Sequence, residues 1–482
     1  MADSTRQLPP ATSTGGSRER VLAVALGVIA GVLALQSAAL DVRWVVIPLA
    51  GLFGGLFVMM LPDKERMLTA AFFLSLQGNL SVRLMHGRAG SAGLAFPLTV
   101  VIGMIILGMY VLRGEFKLKR AWCWGGPMVV PICLYFATLF VSLLTTSERF
   151  VGICQLLLEC QIYFVFLVTL NYIEDESDFI RVVKLLLITL AMQSVVYYIQ
   201  SALGITFTLT GQVIEQGEIA RPGGTVSTVP AEFASFVIPL LTIAMSLYLC
   251  RGRIINRRLL MGVVILGGGA IALTYTRAAW CSLLIGGAWV VFFGSRRRLL
   301  RPGALTYVLA AAIAGVVIGG PLVAQRLEQS PLEESYDERK ALMDMSYHVI
   351  AARPLTGVGP GAYGHTYKRY IPPELDDSWM FVVHNNYLRR TAESGIPGGI
   401  AFVFLLYSGI RLSLALTRSR RSFSRAIALG AGAGIAGLCF EMYWDTWQAF
   451  PYNAMLWLIF GLLVAAVKIE PDDSATTEVA DS

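Results

Sequence analysis

The stretch ALTYVLAAAIAGVVIGGPLVAQRLEQSPLEESYDERK, Ala304 to Lys340, changes character partway along, and that change decides the fold. Ala304–Leu322 is rich in Gly and Ala and carries no charge. It is long enough to cross a ~30 Å hydrocarbon layer as a helix, which satisfies its own backbone hydrogen bonds. From Arg326 onward charges crowd in, and the polar character persists to about Gly395, where the next apolar run begins. A membrane span therefore opens into a loop of about seventy residues, the kind of long segment that more often carries chemistry than merely connects.

The rest of the chain agrees. Hydrophobic residues make up 55% of the 482 and charged residues only 15%, with a mean hydropathy of +0.63. A soluble chain carries roughly a quarter charged residues. Apolar runs at 21–40, 43–61, 67–82, 93–112, 125–145, 151–171, 179–200, 231–250, 257–275, 278–294, 304–322, 396–416, 424–441 and 450–467 predict an all-α polytopic membrane protein of 12–14 transmembrane helices. The range reflects 67–82, which contains Gln77 and Asn79, and the close pair around Arg277; either could be re-entrant.

The expected organisation is a polar N-terminal tail (1–20), a first set of spans (21–322), the long loop (323–395), C-terminal spans (396–467) and an acidic tail (468–482). Lys and Arg concentrate in alternate short connections: 63–66, 113–120, 251–258, 296–298 and 418–425. By the positive-inside rule these are cytoplasmic, as are both termini, and the long loop is on the opposite face. The net charge of +7 is then mostly topological and calls for no nucleic acid. All seven cysteines lie in or beside spans, with no CxxC and no zinc spacing, so neither a disulfide framework nor a metal site is expected. No internal repeat is visible.

Polar residues near the hydrocarbon are costly and call for a reason. Arg277, in Leu273-Thr274-Tyr275-Thr276-Arg277-Ala278-Ala279-Trp280, is either an interface anchor beside Trp280 or a cation facing a cavity for an anion. Arg221 precedes Pro222-Gly223-Gly224, a turn on the same outer side, and reads equally as an exposed loop residue or as part of that cavity. Within the long loop, Asp337 to Ile350 is helical in period, with Leu342, Met345 and Val349 at i, i+3 and i+7, and should stop before Pro354. Arg339 is expected in its first turn, where the helix dipole disfavours a cation unless an anion is near. The turn Gly357-Val358-Gly359-Pro360-Gly361 lacks Gly-Lys-Ser/Thr and is not a nucleotide loop; its glycines permit a tight backbone path. His384-Asn385 opens the helix that returns to the membrane, and imidazole suits proton transfer near neutral pH.

Three features together resemble the O-antigen ligase family of polytopic membrane glycosyltransferases, which includes O-antigen and exopolysaccharide polymerases. They are Thr276-Arg277-Ala278-Ala279-Trp280 at an outer helix end, Arg339 fifteen residues before Pro354-Leu355-x-Gly-Val-Gly-x-Gly, and His384-Asn385 followed, after nine residues, by Gly395. The likeness extends over about 125–465 and is strongest at 270–400. The family usually has an aromatic residue four after the loop Arg; here it is Met343.

The resemblance implies a fold of the GT-C-like type and metal-independent, inverting transfer of a glycan from an undecaprenyl-diphosphate donor, with no cofactor, in the bacterial inner membrane. The acceptor would be lipid A–core or a growing polysaccharide. It further implies that Arg277 and Arg339 bind the diphosphate, that His384 acts on the acceptor hydroxyl, and that Arg221, Arg326 and Asn385 contribute to substrate binding. The alternative is a transporter or flippase of polysaccharide lipids, for which polar residues deep inside several spans would be expected.

Overall fold

The computed structural model describes residues 64–78, 80–83, 95–112, 123–209, 213–215, 221–252, 255–329, 332–370, 382–447 and 449–470. The chain divides into two compact units at Thr69, and the second, Ala70–Ser482, holds nearly all of the described residues. The expected spans 21–40 and 43–61 and both tails, apart from Lys468 to Glu470, lie outside the described residues.

The protein is all-α, relieved by two small antiparallel hairpins. In chain order the helices are α1 (Lys64–Ser75), α2 (Leu98–Leu112), α3 (Val129–Thr145), α4 (Arg149–Tyr172), α5 (Glu176–Leu203), α6 (Pro230–Leu249), α7 (Arg257–Leu273) and α8 (Arg277–Arg296). They continue with α9 (Ala304–Gln329), α10 (Leu332–Ala352), α11 (Tyr363–Thr366), α12 (Asn386–Leu416), α13 (Ser422–Trp444) and α14 (Phe450–Lys468). Strands β1 (Ser81–Arg83) and β2 (Ala95–Pro97) pair, as do β3 (Ile205–Phe207) and β4 (Val213–Glu215).

Eight helices among the described residues are long and apolar enough to cross a membrane: α3 with its preceding turn, α4, α5, α6, α8, α12, α13 and α14. The close pair around Arg277 forms two consecutive helices, α7 and α8, rather than one broken span. The run 67–82, left open as a span or a re-entrant segment, is not one continuous helix: α1 stops at Ser75 and the chain then enters a 3-10 turn and a strand. Buried Gln77 explains the break, since its side chain accepts from Gln193 Nε2 (3.0 Å) and its carbonyl from Thr225 Oγ1 (2.8 Å).

Helices end where polar caps sit. Asp175, Asn256 and Asn385 each receive a backbone N–H of the following turn at α5, α7 and α12. The centre is α14, buried from Phe450 through Ala466, as a helix apolar on all sides should be. Helix α13 approaches α6 and α8 through small residues: a Cβ on Gly430 would lie 2.5 Å from Ile243 Cα, and one on Gly434 would lie 2.9 Å from Pro239 Cα.

The connections sort to two ends. At one, Cys250 bridges Leu300, Arg421 pairs with Glu176, and Lys468 Nζ reaches the carbonyls of Leu170 and Ile173 (3.3 and 3.0 Å). At the other, Thr146 meets Val358, Glu148 pairs with Arg369, and His384 meets Asp445. The long segment gathers at this second end. Its predicted apolar face is real: Leu342, Met345 and Val349 pack with Val358, Ala362, Tyr363, Tyr367, Val383 and Ala392. Burial there pushes the Tyr363 hydroxyl up to about 12, and it pairs with Ser346 Oγ at 2.9 Å.

A backbone exchange fixes this segment to the bundle. Helix α12 is two helices joined at Gly395 (φ 76°), and Pro397 has no N–H to offer the Glu393 carbonyl. The loop supplies what the kink removes. Ile396 N donates to Pro354 O (2.7 Å), Val358 N to Ala392 O (2.9 Å), and Gly359 N to Glu393 O (3.0 Å), which also accepts from Ser142 Oγ (2.6 Å). Such close approach needs glycine. A Cβ on Gly357 would collide with the Glu393 carbonyl, and one on Gly395 with the Leu355 carbonyl; both residues have positive φ.

Two ion pairs lie beneath, with side chains at most 3% exposed: Arg389 to Glu393 (3.0 Å) and Arg390 to Glu159 (2.5 Å). Gln155 also donates to Glu159 (3.0 Å), and Arg389 to the Trp447 carbonyl (3.0 Å).

Gly395→Ala and Gly357→Ala each destabilise by about 1–3 kcal/mol or more, read as a lowered unfolding temperature in detergent. Gly262→Ala, whose Cβ would meet nothing within 4 Å in α7, is neutral or slightly stabilising. Glu159→Gln costs about 3–5 kcal/mol by leaving Arg390 buried and uncompensated, whereas Glu159→Leu with Arg390→Met recovers most of the loss. Additive losses in that double variant would disprove the coupling.

Candidate functional site

His384 sits just ahead of α12, held there by its neighbours. Asn385 is buried and caps the helix by accepting from Leu388 N (3.0 Å). Asn386 is also buried; its Oδ1 accepts from Trp447 N (3.4 Å). With the Arg389 bond to Trp447 O, these contacts clip the α13–α14 connection onto the first turn of α12.

That connection carries Asp445. Its Oδ1 lies 3.4 Å from His384 Nδ1 and also accepts from Thr446 N (2.8 Å). His384 is half exposed and Asp445 mostly covered, at 50% and 18% side-chain exposure. A carboxylate on Nδ1 favours the tautomer that leaves Nε2 as the free base. The pair is long for a hydrogen bond.

Two more carboxyls approach from below. Glu232, in the first turn of α6, accepts from Tyr452 OH (3.0 Å), and Glu441, near the end of α13, is fully buried. Asp445 acts electrostatically on both. Counted from the Gly434–Pro239 contact, each is seven residues up its helix, about 10 Å in both cases, so they lie at one depth.

Two cations lie at the turn between α7 and α8. Arg221 donates from Nε to Thr274 O (3.0 Å) and from a terminal nitrogen to Tyr275 O (3.5 Å), while Tyr197 OH donates to Leu273 O (2.7 Å). The three carbonyls at the end of α7 are thus capped by a cation and a hydroxyl, as a helix C-terminus favours. The capped turn holds Tyr275 at φ 52° and launches α8 at Arg277. Arg221 and the turn before Arg277 are brought together.

Helix packing sets the level of Arg277. Gly437 of α13 lies against the Ser282 carbonyl of α8; from there Arg277 is about 7.5 Å up one helix and Glu441 about 6 Å up the other.

Arg339 requires a correction. Helix α10 begins at Leu332, so Arg339 is two turns inside it, not in the first turn, and the helix dipole there gives no reason for a local anion. It is half-buried one turn before Leu342, whose cluster includes Val383, the residue before His384. Arg326 lies in the last turn of α9, which continues past residue 322 to Gln329. His348 and His365, the other loop histidines among the described residues, lie on α10 and α11.

Sequence reasoning missed Asp445, Glu232 and Glu441. Asp445 and Glu441 flank the apolar end of one span and Glu232 opens another. No local pattern links them to a histidine dozens of residues away along the chain. Among the described residues, no group of three His, Cys, Asp or Glu side chains could hold a metal ion.

No curated protein sequence matches the chain. Residues 262–403, from α7 through the kink of α12, match the family model Wzy_C, described as O-antigen ligase. The match contains Arg277, Arg326, Arg339, His384 and Asn385; Arg221 and Asp445 lie outside it. Residues 262–403 are thus similar to the O-antigen ligase family.

Proposed function

We propose that the protein is a membrane glycosyltransferase that moves a glycan from undecaprenyl diphosphate to an acceptor hydroxyl, as an O-antigen ligase or a surface-polysaccharide polymerase. The observation that carries the reading is the His384–Asp445 contact, lying at the bundle end where Arg221 caps the turn before Arg277 and opposite the arginine-rich connections. With those connections on the cytoplasmic side, the site faces the periplasm of a bacterial inner membrane.

The chemistry assigns each group a task. The acceptor oxygen attacks the sugar C1 from the face opposite the leaving group, its proton passes to His384 Nε2, and the C1–O bond to the diphosphate breaks. Asp445 orients the imidazole and stabilises its protonated form. Arg277 and Arg339 neutralise the charge that builds on the departing diphosphate, a task for which planar guanidinium forks suit without a metal. Arg221 already donates to two carbonyls, so it shapes the Arg277 turn, and Asn385 holds the helix behind His384.

A transporter was expected to bury polar groups within several spans. Glu159, Arg389, Arg390 and Glu393 are buried, but they are matched in pairs that tie α12 to α4 and the Trp447 connection, as a static scaffold requires.

In purified protein given an undecaprenyl-diphosphate-linked glycan and a lipid-linked acceptor, His384→Ala lowers turnover by about 100-fold or more. Asp445→Asn produces a smaller loss, chiefly in turnover, and Arg277→Ala and Arg339→Ala lower it through the leaving-group step. Full transfer by His384→Ala, or lipid translocation with no covalent product in wild type, would overturn the assignment.

A further inference from the structure

At the cationic end, the termini of α6, α7 and α13 border a shallow pocket open to its surroundings. Leu247, Ile255, Leu260 and Phe423 form an apolar wall, while Arg251 and Ser422 bring polar groups to its rim. We propose that this pocket binds one anionic phospholipid of the leaflet at that end, with the phosphodiester on the arginines and an acyl chain along the apolar wall.

Charges at the rim lack a counterpart. Arg251 is exposed and donates from Nε to Leu300 O (3.2 Å), which leaves its terminal nitrogens open to a ligand. Arg257 donates once, to Gly252 O (3.2 Å), and its Nε is buried without a hydrogen bond. Arg425 stands beside Cys250, its Nε likewise buried and without a hydrogen bond. Of the acidic groups at this end, Glu176 is engaged by Arg421 and Glu470 by Ser419. Arg251 thus lines the opening, with Arg257 bonded to its Gly252 and Arg425 next to its Ala426 in the chain, and no carboxylate among the described residues is paired to any of the three. The Nε atoms of Arg257 and Arg425 are buried without an acceptor, and an anion supplied from outside offers one.

The shape of the pocket selects the source of the anion. Inorganic phosphate would meet the arginines and leave the apolar wall wet. A phospholipid fills both parts, and its chain continues along the exposed apolar face of α7, where Leu259 and Ile265 are each 65% exposed. Topological arginines are common on a cytoplasmic face; a walled pocket beneath unpartnered ones is more specific. This lipid site needs only the membrane-spanning fold and is independent of the glycan-transfer reading.

Native mass spectrometry of the full-length protein in detergent, titrated with phosphatidylglycerol, tests it. Wild type retains one phosphatidylglycerol, and Arg251→Gln with Arg425→Gln weakens that retention by about 10-fold or more. Arg251→Lys with Arg425→Lys keeps most of it. Arg296→Gln with Arg297→Gln, which removes the same charge from an exposed turn, changes it by less than about twofold. Phosphatidylcholine is not retained, and inorganic phosphate at about 10 mM does not displace the bound lipid. Equal loss in the two Gln pairs would reduce the effect to general surface charge, displacement by phosphate would make this a free-anion site, and absence of any retained lipid would reject it. If the Gln pair does not fold, the single Arg251→Gln variant, at an exposed position, carries the same comparison.

Discussion

Three backbone hydrogen bonds at Gly395 organise everything at the functional end. A helix broken by Gly395 and Pro397 has amides and carbonyls that can no longer find one another, and near hydrocarbon each would cost about 1–3 kcal/mol if left unmet. The loop from Pro354 to Gly359 answers them one for one. Because the match is backbone to backbone, it demands glycine where the chains touch, and it fixes the loop in register with the helix carrying His384. Thr146 Oγ1, bonded to Val358 O at 2.6 Å, then locks the same loop to the α3–α4 turn. A helix kink has become the joint between the long polar segment and the membrane bundle.

The buried ion pairs at this joint add orientation more than stability. Bringing two Arg–Glu pairs out of water costs about as much as their attraction returns, so apolar substitutes of similar volume would hold the bundle as well. What apolar substitutes could not do is fix direction. Arg389 joins Glu393, on its own helix, to the Trp447 carbonyl, and Trp447 is two residues from Asp445. The partner of His384 is therefore held by the same charge that steadies the first turn of α12.

Much of this was legible in the sequence, and what was hidden was hidden for physical reasons. Uninterrupted apolar runs located the described spans from 125 onward mostly to within a few residues, because a bilayer forces length and polarity together. The Leu342–Met345–Val349 face was visible as helical period and is the buried face of α10. The start of that helix was not, since Leu332 to Tyr336 has too little apolar rhythm to extend the pattern. The glycines of 357–361 read as a tight turn, but what they approach lies more than thirty residues along the chain. Half-buried Glu232 and buried Glu441 look like isolated blemishes in apolar runs; only helix packing brings them to one depth.

The division of labour among the arginines reflects what each already holds. Arg221 has two carbonyls to cap, and removing it would loosen the end of α7 before it could affect any ligand. Arg389 and Arg390 are sealed against carboxylates at 3% exposure or less. Arg277 and Arg339 are each half-buried on a helix that reaches the His384 end, one beginning α8 and the other on the face of α10 that carries Leu342. An anion delivered there meets cations positioned by helices whose far ends are anchored elsewhere. On the proposed glycan-transfer reading, the geometry is set before the substrate arrives, which is the condition under which charge stabilises a transition state most strongly.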